Sequence, residues 1–143
     1  MKRILIVEDD KRITAALQIR LVACGYTVLI AHNGFDGLKL AVAERPDLIL
    51  MDIMMPVGMG FSVAERLKAS ACAEIPIIFI TASKRTCLRR TAEKLGAVGF
   101  FEKPYDAGEL LGAVALILGA GLTASLHTTP APLGARSAVS QQG

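Results

Sequence analysis

The chain has 143 residues, 52% of them hydrophobic and 20% charged, with a formal net charge of +3. That length suits one domain with a real core, and the longest apolar run is far short of the roughly 18 residues a membrane span needs. A charge of +3 without a basic motif gives no reason to expect direct nucleic-acid binding. No secretory signal is expected, because charged residues follow the first short apolar run at once, so cytoplasm is the expected compartment. Cys24, Cys72 and Cys87 form no Cys-x-x-Cys pair, and His32 and His127 are the only histidines, which leaves little for a zinc site or a histidine-based triad.

Short apolar runs alternate with helical patterns along the chain. Ile4–Val7 reads as a buried strand ending at acids, and Lys11–Cys24 as a helix with Ile13, Leu17 and Leu21 inward and Gly25 as its stop. Tyr26–Ala31 reads as a second strand, followed by a helix with Phe35, Leu38 and Val42 as its inner stripe, ending before Pro46. Asp47–Asp52 is the third strand, and Phe61–Ala71 the third helix, with Phe61, Ala64 and Leu67 inward. Ile75–Ile80 is the fourth strand, and a helix from Arg85 to Leu95 turns Leu88, Ala92 and Leu95 inward. Val98–Phe101 and Ala107–Leu118 complete the series, separated by Pro104.

Strands apolar on both faces and separated by helices imply a parallel sheet covered on each side. The expectation is therefore a doubly wound α/β domain, a five-stranded parallel sheet with five helices, over residues 1–118. Ligands in such folds sit beyond the strand C-termini. From Gly119 to Gly143 the periodicity stops and Arg136 is the single charge, so 119–143 reads as a flexible tail or linker whose removal leaves the domain intact.

Parallel strands bring their C-terminal residues to one edge. The first delivers Glu8, Asp9 and Asp10, the third Asp52 and the fourth Thr81, while Lys103 follows the fifth. Asp10 reads as the cap of the first helix. Glu8, Asp9, Asp52 and Lys103 then carry a charge of about −2, and like charges so close raise one another's pKa unless a cation joins them. An all-oxygen donor set favours a hard cation, and Mg²⁺ uses one or two carboxylates while leaving positions open for a phosphoryl oxygen. The hydroxyl and the ammonium suit an anion arriving at Asp52.

Four segments in order, ILIVEDD (4–10), LILMDIMMP (48–56), IIFITAS (77–83) and FFEKP (100–104), make the chain resemble the receiver domains of two-component response regulators, of the flavodoxin-like, single-domain CheY type. The resemblance covers residues 2–118. It implies that Asp52 is the phosphoacceptor, taking a phosphoryl group from a histidine of a sensor kinase or histidine phosphotransfer protein. It implies Asp9, Asp52 and the backbone carbonyl of Met54 as Mg²⁺ ligands, with Glu8 acting mostly through water. Thr81 and the backbone N–H of Ala82 would hold phosphoryl oxygens, and Lys103 would pair with the phosphoryl group. Thr81 and Phe100 resemble the pair that relays phosphorylation to a partner-binding face formed by the fourth helix, fifth strand and fifth helix. Met54 and Ser83 occupy positions that tune phosphate lifetime in the family. The chain is then a signalling module that catalyses only its own phosphorylation and dephosphorylation.

One departure is the loop after Pro56, where VGMGF puts Met59 in place of a polar residue and adds Gly58; two glycines within three residues suggest a pliable loop. Lys84, Arg85, Arg89, Arg90 and Lys94 read as a solvated basic face of the fourth helix, or as a docking face for an acidic partner. The alternative function is a Mg²⁺-dependent phosphohydrolase with an aspartyl-phosphate intermediate, but such enzymes place a second Asp two residues after the nucleophile, where Met54 stands. A flavodoxin-like nucleotide binder lacks its phosphate loop, since EDDKRIT repels phosphate without a metal.

Overall fold

The computed structural model describes residues 1–55 and 60–119. Five strands, β1 (Arg3–Val7), β2 (Thr27–Ala31), β3 (Leu48–Asp52), β4 (Ile77–Thr81) and β5 (Gly99–Glu102), form one parallel sheet in the order β2-β1-β3-β4-β5. The helices between and after them are α1 (Lys11–Ala23), α2 (Gly34–Glu44), α3 (Gly60–Lys68), α4 (Thr86–Lys94) and α5 (Ala107–Gly119). The expected doubly wound α/β fold is the observed one. α5 runs through Gly119, the first residue of the expected 119–143 tail; the rest of that segment, and the Pro56–Met59 loop with its extra glycine, lie outside the described residues.

β3 and β4 are buried throughout and β1 from Ile4 onward, as strands covered on both faces must be. Alternate residues feed two cores. Leu5, Val7, Ile49, Met51 and Phe79 meet α2, α3 and α4 on one face. Ile4, Ile6, Leu50, Ile78 and Ile80 meet α1 and α5 on the other. Period-two alternation thus decides which helix each strand residue touches. The order of strands reverses between β1 and β3, so a crevice opens beyond their C-terminal ends.

Each helix stop has a local cause. Gly25, at φ +95°, turns the chain out of α1 where a side chain would be strained. α2 ends at Arg45 in the left-handed region, just before Pro46. Below the sheet, the Arg3 guanidinium holds the carboxylate and backbone carbonyl of Glu44, while Asp47 accepts from the Arg3 backbone N–H at 2.8 Å.

The inner stripe expected for α2 holds at Leu38 and fails at Phe35 and Val42. Phe35 is 64% exposed and Val42 half exposed, whereas Gly34, Gly37 and Ala41 face the sheet with Leu38 and Leu40 partly covered. The reason is distance: a Cβ on Gly37 would stand 2.9 Å from both methyls of Val7, so the helix lies too close to β1 for a large inward side chain. In α3 the inward residues are Val63, Ala64 and Leu67, with Phe61 only half-buried and set edge-on to Phe79 at 5.0 Å.

Candidate acidic site at the strand ends

β1 and β3 end side by side, Val7 opposite Met51, and this register delivers the acids together. Glu8, Asp9 and Asp52 each present a carboxylate oxygen within 4.8 Å of the others. Glu8 and Asp52 are buried, 4% and 5% exposed, while Asp9 faces solvent. β1 is prolonged by a bond from the Glu8 N–H to the Ala31 carbonyl at 3.0 Å, which fixes Glu8 at the rim. The Glu8 carbonyl in turn lies 3.1 Å from Nδ1 of His32.

Asp52 is held from three directions. Its Oδ1 accepts from the Met54 N–H at 3.1 Å, and its Oδ2 lies 3.4 Å from Nζ of Lys103. The backbone is held by α3: the Gly60 N–H donates to the Ile53 carbonyl at 3.0 Å, and a Cβ on Gly60 would stand 2.5 Å from the Asp52 carbonyl oxygen. Only glycine permits that approach. The side chain of Met54 is half exposed beside the site.

Lys103 reaches the site because its backbone N–H donates to the Thr81 carbonyl at 2.7 Å, tying the end of β5 to the end of β4. The following Lys103–Pro104 peptide is cis. The ammonium lies 2.8 Å from Glu8 Oε1, closer than to Asp52. Burial alone would lower its pKa, but the hydrogen bond to Glu8 and the charge on Asp52 win and raise it. Burial pushes the Glu8 carboxyl up to about 7, with the charge on Asp52 adding to the rise; Lys103 and the Asp10 N–H pull against it. Three carboxylates against one ammonium leave a deficit of positive charge.

That deficit, with oxygen donors alone, fits a hard divalent cation. Asp9 and Asp52 have oxygens free of the ammonium's closest contact, whereas Glu8 is engaged by Lys103 through Oε1 and by the Asp10 N–H through Oε2 at 3.1 Å. Asp10 itself caps α1: its Oδ1 accepts from the Arg12 N–H at 2.8 Å and more weakly from Ile13, which lowers its pKa.

Thr81 is fully buried at the end of β4, and its hydroxyl accepts from the Ser83 N–H at 3.0 Å. Ala82, between them, is exposed. Phe100 is not at the acidic cluster. It is buried in the core facing α4, opposite Phe79 in register. Over its ring lies the guanidinium of Arg89, 4.5 Å from the centroid. This corrects the reading of α4, in which all five bases face outward: Lys84, Arg85, Arg90 and Lys94 are exposed, but Arg89 folds back. Its signal in sequence is position, since Arg89 follows the inward Leu88 and precedes Ala92 by three residues. Lys84 was also missed as a brace; it lies 3.7 Å from Glu102 and 3.5 Å from the Lys103 carbonyl.

Among the described residues no helix is long and apolar enough to cross a membrane. Residues 4–115 match the family model described as the response regulator receiver domain. The transcriptional regulatory protein DltR of Streptococcus agalactiae is 42% identical over 114 residues, covering 80% of this chain and 50% of that protein. RpaA of Synechocystis, named a DNA-binding dual master transcriptional regulator, is 38% identical over 119 residues, 82% of this chain and 49% of that one. The chain spans about half the length of these relatives. Among solved structures, chemotaxis protein CheY4 of Vibrio cholerae superposes with a TM-score of 0.77 at 28% identity, covering 82% of this chain and 99% of that one. The receiver domain of HemR from Leptospira biflexa gives 0.74 at 32%, covering 80% and 91%. The regulators overturn one expectation. A net charge of +3 gave no reason to expect nucleic acid, yet relatives that share most of this chain are transcriptional regulators, one of them named as DNA-binding.

Proposed function

The chain belongs to the response regulator receiver family, and from that premise we propose that it accepts a phosphoryl group on Asp52 from a phosphohistidine of a sensor kinase or a histidine phosphotransfer protein. The observation that carries this reading is the setting of Asp52: a buried carboxylate beside Lys103, with Glu8 and Asp9 within 4.8 Å. Phosphoryl transfer asks the protein mainly for alignment and charge neutralisation, and these groups are suited to supply both.

In the proposed reaction an Asp52 oxygen attacks phosphorus, the N–P bond of the donor breaks, and the imidazole leaves with its electron pair to take a proton. The Met54 N–H, bonded to Oδ1, orients the carboxylate so that the other oxygen faces the donor. Lys103 moves its contact from Glu8 toward the incoming phosphoryl oxygens. The Thr81 hydroxyl and the Ala82 N–H take further phosphoryl oxygens. Asp9, Asp52 and the Met54 carbonyl would hold a Mg²⁺ ion, which would supply the positive charge that the site lacks. Thr81 and Phe100 carry the change to the face of α4, β5 and α5.

No second acid stands two residues after Asp52, where the phosphohydrolase alternative needs its general acid, so we read the chain as a signalling module acting in the cytoplasm. For the whole protein we propose a transcriptional output, on the strength of the regulators it resembles. Incubation with acetyl phosphate, with and without Mg²⁺, tests the reading by intact mass: one phosphoryl group is expected with the metal and almost none in EDTA. Equal gain in both would contradict it.

A further inference from the structure

Arg89 is an anomaly in an otherwise well-paired structure. Its Nη1 is buried with no hydrogen-bond partner in the protein, alone in this among buried side-chain nitrogens and oxygens of the described residues. Glu93 and Glu102 are near enough to favour its charge, but among the described residues neither pairs with it, and Glu102 lies instead beside Lys84. Burial is the larger influence and pulls the guanidinium below its usual pKa. What Arg89 gains is the face of Phe100, a favourable seat for a cation. A buried unpaired N–H on a charged group is costly and marks a place where a structure stores strain.

The strand under that seat, β5, leads directly into Lys103. Phe100 lies three residues before it, and Glu102, beside it, is braced by Lys84. On the phosphoacceptor reading, a new anion on Asp52 would draw the Lys103 ammonium off Glu8, one residue beyond the end of β5. On the other side, Arg85 at the N-cap of α4 and Arg90 within it are exposed, so an Arg89 that leaves its seat hydrates its Nη1 and adds a cation to an already basic face.

We propose that Arg89 is a positioning residue for Phe100 and a phosphorylation-sensitive latch: stacked on the ring in the free protein, it is released to the surface of α4 when Asp52 is modified. The proposal rests on the phosphoacceptor reading and adds to it the residue through which α4 feels the site. It also states what changes on the outside, which is one positive charge in a fixed place.

The test is NMR of the full chain labelled with ¹⁵N-arginine, before and after acetyl phosphate with Mg²⁺, with intact mass taken on the same sample. The free protein should show one side-chain Nε–H signal displaced by the ring current. That signal should be absent from Arg89→Lys (or Arg89→Gln, should the lysine variant fold poorly) and should lose its displacement in Phe100→Leu. On gain of one phosphoryl group it should move into the group of solvent-exposed arginines. A free protein with no displaced signal overturns the stack. A fully phosphorylated chain whose Arg89 signal has not moved overturns the release while leaving the phosphoacceptor reading standing. A chain that gains no phosphoryl group contradicts that reading and the release with it.

Discussion

The ammonium of Lys103 is shared unequally between two carboxylates, 2.8 Å from Glu8 and 3.4 Å from Asp52. Glu8 therefore holds the lysine beside Asp52. A cation poised this way is worth most when negative charge arrives. Lys103→Met should slow phosphoryl gain from acetyl phosphate by about 100-fold, the scale expected for losing one strong donor to transferred charge. Initial rates by intact mass check this, and an unchanged rate would remove Lys103 from the reaction.

Glu8 predicts a pH effect on stability. Its carboxyl is raised from 4.5 to about 7 by burial, so between those values the folded chain binds more protons than the unfolded one. Stability from this group is complete below about 4.5 and is lost as pH rises toward 7. In EDTA, the melting temperature of Glu8→Gln should fall less than that of the parent across this window. Parallel curves for the two would mean that Glu8 titrates normally.

Asp9 and Asp10 should separate cleanly. Asp9→Ala should abolish most of the rise in melting temperature that Mg²⁺ produces by mass action. Asp10→Ala should keep that rise but start from a lower melting temperature, because the N-cap of α1 is lost. Thermal melts with and without Mg²⁺ measure both, and a reversed pattern would shift the acid pair by one residue.

Two glycines make a matched pair. Gly60→Ala drives a methyl against the Asp52 carbonyl, where only 2.5 Å is available, and should destabilise by roughly 1–3 kcal/mol while slowing phosphoryl gain. Gly112→Ala, in α5 with nothing within 4 Å, should stabilise by about 0.5–1 kcal/mol and leave the reaction unchanged. Urea unfolding and phosphorylation rates on the two variants check both. Equal behaviour would mean that α3 can shift without moving Asp52.

The strand-end acids were legible in sequence because parallel strands leave no other place for a carboxylate that ends a fully apolar run; Glu8, Asp52 and Lys103 meet as their positions imply. The face of α2 was not. GFDGLKLAVA is apolar or small almost all round, so hydrophobicity alone cannot choose between Phe35 and Gly37, and the choice is made by the distance to Val7. Arg89 escaped for a related reason: composition marks an arginine as surface, while its long stem lets the charge fold back over an aromatic ring. That relatives are transcriptional regulators left no trace in this chain's net charge of +3.

The central claim is that Asp52 receives the phosphoryl group. After treatment with acetyl phosphate and Mg²⁺, borohydride reduction converts an aspartyl phosphate to homoserine, which fixes its place for peptide sequencing by mass spectrometry. The account predicts homoserine at residue 52, and none anywhere in Asp52→Asn. Homoserine at Asp9 or Asp10 in the parent, or modification of Asp52→Asn to the parent's extent, would contradict it.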